Sequence, residues 1–340
     1  TIATCTIKIH REFSSPMFHQ RICIFETDEE ITYISQLEKK VRLSIVQGVE
    51  PDLLDLLCLG CYRPLYKYDW SDQIKIDAEF FEFEKRTIIE PRAEELLAQH
   101  IPMLNAISDN VSLKVRQQYE ENPYPRWISC EHVLKPKAID TRLHDMGLKI
   151  SLGHLSSTQC PQILIAGCGT GKHVVELTTS IKDCQVTAVD LSLSSIAYAK
   201  RKTSELNIEN VEYLQADILD LKRLDRSFDL IESVGVLHHM DNPLKGWKTL
   251  VDILNSQGVM KIGLYSELAR QDVVQCRSLI ESLKLGGTAY DIRMLRNMII
   301  NSDDLILRQL FDFWDFFSLS ELRDLVFHVQ EFRFTIPKIK

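Results

Sequence analysis

The residues best suited to chemistry open with a glycine run, Gly167-Cys168-Gly169-Thr170-Gly171, directly after the apolar stretch Ile163-Leu164-Ile165-Ala166. Glycine at every second position lets the backbone turn tightly and lets a ligand approach the main chain. A helical pattern, Lys172 to Ile181, follows at once. Strand, glycine loop and helix in that order bring backbone N–H groups against a nucleotide-like ligand. A second apolar strand ends in Asp190, 19 residues past Gly171. A carboxylate there is placed to take two ribose hydroxyls.

Two phosphate-binding patterns fail on this loop. Gly-x-x-x-x-Gly-Lys-Ser/Thr needs a glycine where Ala166 stands and a hydroxyl where His173 stands. Gly-x-Gly-x-x-Gly needs its third glycine at Lys172, which disfavours NAD and FAD. For the loop taken alone, a tight turn in an ordinary α/β protein remains the plain alternative. A second chemical pair, His238-His239, lies in Val236-Leu237-His238-His239-Met240. A histidine there titrates near working pH and is a candidate base; the alternative is that both rings only shape the loop or pocket. Cys58-Leu-Gly-Cys61 has redox or zinc spacing, but no second pair follows and its flank reads as a buried helix, so no metal is assigned.

The elements that must position these residues alternate regularly from 161 onward, which argues for a parallel sheet with right-handed crossovers. Strands are expected at 161–166, 185–189, 211–215, 228–234 and 259–264. Ser192 caps a helix running to about Leu206, and Asn242-Pro243 opens another with Trp247, Leu250, Val251 and Leu254 on one face. Every candidate then lies at the carboxyl end of a strand, where ligands bind in open α/β sheets.

The ordered set resembles class I S-adenosylmethionine-dependent methyltransferases over about 161–266. What the resemblance implies is a Rossmann-like, doubly wound, mostly parallel α/β sheet with S-adenosylmethionine as cofactor. Gly167, Cys168, Gly169 and Gly171 would face its methionine part. Asp190 and Leu191 would hold the ribose, Asp217 and Ile218 the adenine, and Ser233 to Val236 would floor the pocket below the sulfonium. Many members carry an acidic residue two places before the first glycine; here it is Ile165. The segment Gln118-Tyr-Glu-Glu-Asn-Pro-Tyr-Pro-Arg-Trp127 resembles methyltransferases often fused to tetratricopeptide repeats, although no 34-residue period is visible. Its prolines stiffen a turn ahead of the first strand. It reads as a lid, with Tyr119 and Arg126 reaching the cofactor, Tyr124 near the substrate and Trp127 as an anchor; a clamped linker is the alternative. Asn122-Pro123-Tyr124 is not the Asn-Pro-Pro-Tyr motif of amino-group DNA methyltransferases, since it precedes the glycine loop.

The 340 residues suffice for two domains. A net charge of −8 argues against a general affinity for nucleic acid or anionic membrane. No run of eighteen apolar residues marks a membrane span. Nine scattered cysteines, Cys23, Cys58, Cys168 and Cys276 among them, read as reduced thiols in a cytoplasmic setting. The start at Thr1 reads as a fragment of a longer protein. Thr1–His10 is a strand or a disordered start. Helices are expected at 35–47 and 51–59, stopped by Gly48 and Gly60, and at 91–99. The expected organisation is a helical region 1–110, a lid or linker 111–160, the core 161–266, and a helical segment 267–340 whose rings Phe311 to Phe317 are mostly core. The expected activity is methyl transfer to an unidentified acceptor, small molecule or protein, by in-line attack on the sulfonium methyl. A cofactor-binding module without catalysis and a nicotinamide-dependent oxidoreductase are the alternatives.

Overall fold

The computed structural model describes residues 27–130, 135–147 and 153–340. The expectations for Thr1–His10 and Cys23, and those parts of the linker at 131–134 and 148–152, lie outside the described residues. The chain forms two compact units, one taking residues up to Leu96 with Leu283–Arg323, the other Leu97–Ser282 with Asp324–Lys340. The segment 267–340, drawn from sequence as a single piece, is thus divided between them.

The first unit is helical. Thr27 and Glu30 form a reciprocal capping box that starts the helix Asp28–Val46, seven residues before the expected position, and Ile34, Leu37 and Val41 bury one stripe of it. Asp52 caps Leu53–Tyr62 through the N–H groups of Leu54 and Asp55. Gly60 lies inside that helix and does not stop it. A Cβ there would stand 2.5 Å from the Phe83 ring, so the glycine serves close packing. Within this unit Phe316 is fully buried, with edge-on contacts to Phe311 and Phe317 at 4.8 and 5.6 Å.

The second unit is built on five parallel strands: β1 (Gln162–Ala166), β2 (Gln185–Asp190), β3 (Val211–Gln215), β4 (Phe228–Val234) and β5 (Leu254–Gly263), in the order β3-β2-β1-β4-β5. The central β1 is apolar on both faces because both are covered. Ile163 and Ile165 join one cluster with Val174 and Leu177, while Leu164 and Ala166 join the other with Phe228 and Leu250. Around the sheet lie α1 (Asn110–Glu121), α2 (Ile139–Asp145), α3 (Lys172–Ser180), α4 (Leu193–Glu205), α5 (Pro243–Asp252) and α6 (Gln271–Ser282). The strand order reverses between β1 and β4, and the crevice above such a switch point is where ligands sit.

One boundary differs from expectation. Leu254 does not extend α5; it opens β5 and pairs with Phe228, and an irregularity between Phe228 and Leu230 absorbs the extra residues before Val259. Pairing with β4 overrides the helical spacing of Leu250 and Leu254. Among the described residues, no helix is long and apolar enough to cross a membrane.

Candidate functional site

A cavity of about 560 Å³ opens along the carboxyl ends of the strands. Its inner wall is the glycine loop. Gly167 and Cys168 both donate their N–H to the carbonyl of Val189, at 2.8 and 2.9 Å. Gly169 donates to Asp190 Oδ2 at 2.8 Å, and Ser192 donates to Asp190 Oδ1 at 3.0 Å. Asp190 on β2 thereby braces the loop, a job that Ile165 on β1 cannot do. Burial raises the Asp190 pKa, opposed by these backbone N–H groups.

Each glycine answers a different demand. Gly167 has φ +86°, and a Cβ on it would lie 2.2 Å from Val236 Cγ2. Gly169 has φ +49°, and its Cβ would lie 2.9 Å from the carbonyl oxygen of Tyr124. The third is a correction. Gly171, at φ +80°, does not line the cavity; its missing side chain makes room for Ala199 of α4, whose Cβ would be 2.6 Å away.

Asp217, 4% exposed, accepts from the Leu219 N–H at 2.9 Å and lines the cavity with Ile218 and Leu191. Val234, Gly235 and Val236 form the floor. Ser233 does not: it is fully buried and its Oγ is sealed away from the cavity, the alternation of β4 directing it elsewhere.

The strap 119–127 lies against this wall. Tyr119, Tyr124 and Pro125 line the cavity. Thr170 Oγ1 donates to the carbonyl of Pro125, and the buried Trp127 donates from Nε1 to the carbonyl of Thr170 at 3.0 Å. Tyr198 of α4 donates to the carbonyl of Trp127, and Lys202 Nζ to that of Ile128 at 3.1 Å. Glu120, a residue given no role from sequence, caps α4: Leu193 N, Ser194 N and Ser194 Oγ all donate to its carboxylate at 2.8, 2.9 and 2.6 Å. Arg126 is a further correction. It does not reach the cavity; its guanidinium lies 6.0 Å from the Tyr198 ring centroid.

The opposite wall comes from four distant segments: Tyr119 of α1, His239 and Met240 after β4, Tyr265 after β5, and Asp324. Tyr119 donates its hydroxyl to Asp324 Oδ1 at 2.5 Å, and burial together with that carboxylate holds the phenol pKa well above its usual value. His239 lies 3.4 Å, centroid to centroid, from His328 and bonds through Nδ1 to the carbonyl of Gln330 at 2.7 Å. His238 does not line the cavity; it stacks on Tyr265 at 3.8 Å, sealed beneath His239. Burial drives the His238 pKa down to about 2 and that of His328 to about 3, and holds His239 well below 6.5. All three rings are therefore neutral at pH 7.

A charged corner went unnoticed in the sequence. Glu232, 2% exposed on β4, pairs with His173 Nε2 at 2.6 Å and Lys261 Nζ at 3.2 Å, and both partners line the cavity. Glu232 sits beside Ile165 in the β1–β4 register. Desolvation pushes its pKa up, but the interactions with His173 and Lys261 outweigh that and leave it lowered.

Residues 163–258 match the family profile described as a methyltransferase domain. The chain carries a class I methyltransferase domain. S-adenosylmethionine is the cofactor of that domain. The chain is 28% identical over 181 residues to an uncharacterized protein of Synechococcus, covering 53% of this chain and 43% of that protein. It is 34% identical over 102 residues to the release factor glutamine methyltransferase of Rhodopirellula baltica, covering 30% and 34%. It thus spans less than half the length of either relative. Among solved structures, PKMT2 from Rickettsia typhi shares 17% identity with a TM-score of 0.44, over 68% of this chain and 41% of that one. The cavity fits the cofactor of the methyltransferase domain. Its backbone is bare at Gly167 and Gly169, and carboxylates stand at the end of β2 and just after β3, where a nucleoside offers hydroxyls and an amine.

Proposed function

We propose that this protein is an S-adenosylmethionine-dependent methyltransferase acting on a small molecule or protein. The observation that carries the reading is the order of groups in one cavity: glycine loop after β1, Asp190 at the end of β2, Asp217 after β3 and a floor at the end of β4. When bound, the cofactor supplies a methyl group activated by its sulfonium. The chain's own residues bind, orient and exclude water. Gly167, Cys168 and Gly169 offer main chain to the amino-acid part. Asp190, its orientation set by Gly169 and Ser192, keeps lone pairs for two ribose hydroxyls. Asp217 accepts from the adenine amino group, and Ile218 packs on the ring. Tyr119 and Tyr124 cover the cavity and limit water, which strengthens every polar contact inside. His239, neutral at pH 7, serves as a hydrogen-bond acceptor for the incoming group.

The acceptor does not transfer from the relatives: one name specifies a release factor glutamine, another a malonyl-acyl carrier protein. The narrower resemblance to enzymes fused with tetratricopeptide repeats rests on Gln118–Trp127 alone. Calorimetry with S-adenosylmethionine, S-adenosylhomocysteine and NAD tests the reading, together with transfer of labelled methyl in a cell extract. The two sulfur cofactors are expected to bind and NAD is not. Binding of NAD alone would mean an oxidoreductase; cofactor binding without transfer would mean a binding module.

A further inference from the structure

The charged corner can do what the strand-end acids cannot. S-adenosylmethionine carries an α-carboxylate at its amino-acid end, and an anion taken out of water needs a cation beside it. Two lysines line the cavity, Lys172 and Lys261. Lys172 is exposed at the start of α3, and among the described residues no hydrogen bond or ion pair holds its side chain. Lys261 is held. On β5 it is in register with Glu232 of β4, and Glu232 with Ile165 of β1, two residues before Gly167. Two strand spacings, about 10 Å, separate its backbone from β1, and its four-carbon stem reaches the cavity that the glycine loop walls. Its side chain is 42% exposed against 3% for Glu232, so the positive end of the pair is the one open to a ligand. An ammonium has three N–H groups, and among the described residues Lys261 gives its side-chain hydrogen bond to Glu232 Oε2, at 3.2 Å. His173 Nε2 meets the same oxygen at 2.6 Å, so Glu232 keeps a partner when the lysine turns to a ligand. Arg142 of α2 lines a smaller cavity of about 70 Å³ behind the corner and not the main one.

We propose that Lys261 pairs with the α-carboxylate of S-adenosylmethionine and so selects the amino-acid form of the cofactor over its decarboxylated analogue. The proposal rests on the methyltransferase reading above. It adds a charged contact to the main chain that Gly167, Cys168 and Gly169 offer to the same end of the cofactor. A lysine ammonium and a carboxylate form a charge-assisted hydrogen bond, stronger than the bonds of neutral groups. The decarboxylated analogue keeps the sulfonium and the amine, so it brings positive charge to Lys261 with no anion to offset it.

Calorimetry tests this with four ligands: S-adenosylmethionine, its decarboxylated analogue, S-adenosylhomocysteine, and 5′-methylthioadenosine, which lacks the amino-acid part. The wild-type protein should bind S-adenosylmethionine about tenfold or more tighter than the decarboxylated analogue. Lys261→Met should weaken S-adenosylmethionine and S-adenosylhomocysteine about tenfold and leave the other two ligands within about twofold. Lys261→Arg, which keeps the charge, should retain the preference. An equal loss for all four ligands in Lys261→Met would mean that the lysine only shapes the cavity, and overturns the proposal. So does the selective loss in Lys172→Met in place of Lys261→Met. Unchanged affinities in Lys261→Met, with less labelled methyl transferred in a cell extract, would assign the lysine to an anionic acceptor and overturn it as well. A wild-type protein that binds all four without preference overturns this proposal alone; one that binds none overturns the cofactor reading with it. If Lys261→Met does not fold because Glu232 has lost a partner, the double variant Glu232→Gln/Lys261→Met removes both charges. It should show the same selective loss, and full wild-type preference there overturns the proposal.

Discussion

The two walls of the cavity are built by different means. The glycine-loop wall is held by main-chain hydrogen bonds: Gly167 and Cys168 to Val189, Gly169 and Ser192 to Asp190. Its partners lie within about two dozen residues of one another and repeat the strand–turn–helix rhythm. The facing wall is held by side chains from α1, the β4 and β5 ends and residues 324–340, with ring centroids 3.4 to 5.8 Å apart. The first wall is rigid because unpaired backbone groups are costly. The second is rigid only while its rings stay packed and neutral.

The sharpest way to break the comparison is to join the walls by force. In Gly169→Val a branched side chain enters a left-handed position and meets the Tyr124 carbonyl, only 2.9 Å from the first added carbon. Strain and overpacking together cost about 3 kcal/mol. Loss of S-adenosylhomocysteine binding by calorimetry is expected. A folded variant that binds normally would show that the loop does not touch the ligand.

Acid should attack the histidine wall and spare the loop. His238 and His328 have folded-state pKa values near 2 and 3, below the 6.5 of the exposed ring. Below pH 6.5 the unfolded chain takes up protons that the folded chain refuses, so stability falls as pH falls. Well below pH 6.5 each such histidine loses about 1.4 kcal/mol per pH unit, and both together lose about 3 kcal/mol between pH 6.5 and 5. His239 adds to this in the same direction. Urea unfolding at pH 7.5, 6 and 5 should record the decline, and His328→Gln should flatten it. A flat profile in the wild type would mean that these rings are not sealed.

Asp190→Ala removes the brace and the ribose acceptor at once. Two backbone donors, Gly169 N and Ser192 N, lose their partners. The expected loss in S-adenosylhomocysteine affinity is about 2–3 kcal/mol, with the fold retained by circular dichroism. Unchanged affinity in the folded variant would remove Asp190 from the site.

The same division explains what the sequence made legible. Periodicity located all five strands, because β1 to β4 are buried runs bounded by turns. It located Asp190 and Asp217 because strand ends are where such runs stop. It placed Gly60 as a helix stop and Leu254 in a helix, since Phe83 and Phe228 make their packing demands from elsewhere in the chain. Ser233 and Gly171 were assigned to the cavity by proximity, while side-chain alternation and the close approach of Ala199 turn them to other uses. The second wall left almost no local signal. His239 was visible beside its strand, but its partners His328 and Gln330 lie 89 and 91 residues on. Glu120 is one acid in a run of two, and only the fold shows which of them caps α4.

The smallest expected effect concerns the strap, which belongs to both walls. Tyr119 ends on Asp324, while Pro125 and Trp127 are tied to Thr170 beside the glycine loop. Arg126 lies between these anchors and touches neither wall. Its guanidinium sits over Tyr198, a contact worth about 0.5–1 kcal/mol at a partly exposed site. Arg126→Ala should therefore lower stability by less than about 1 kcal/mol and leave S-adenosylhomocysteine affinity unchanged within error. Hydrogen exchange sharpens the point. Because the buried Trp127 side chain and the carbonyls of Trp127 and Ile128 anchor 126–128 without ligand, added S-adenosylhomocysteine should slow exchange at 119–125 more than at 126–128. A tenfold loss of affinity in Arg126→Ala, or uniform slowing across 111–130, would show instead that the whole strap closes as a lid when the cofactor binds.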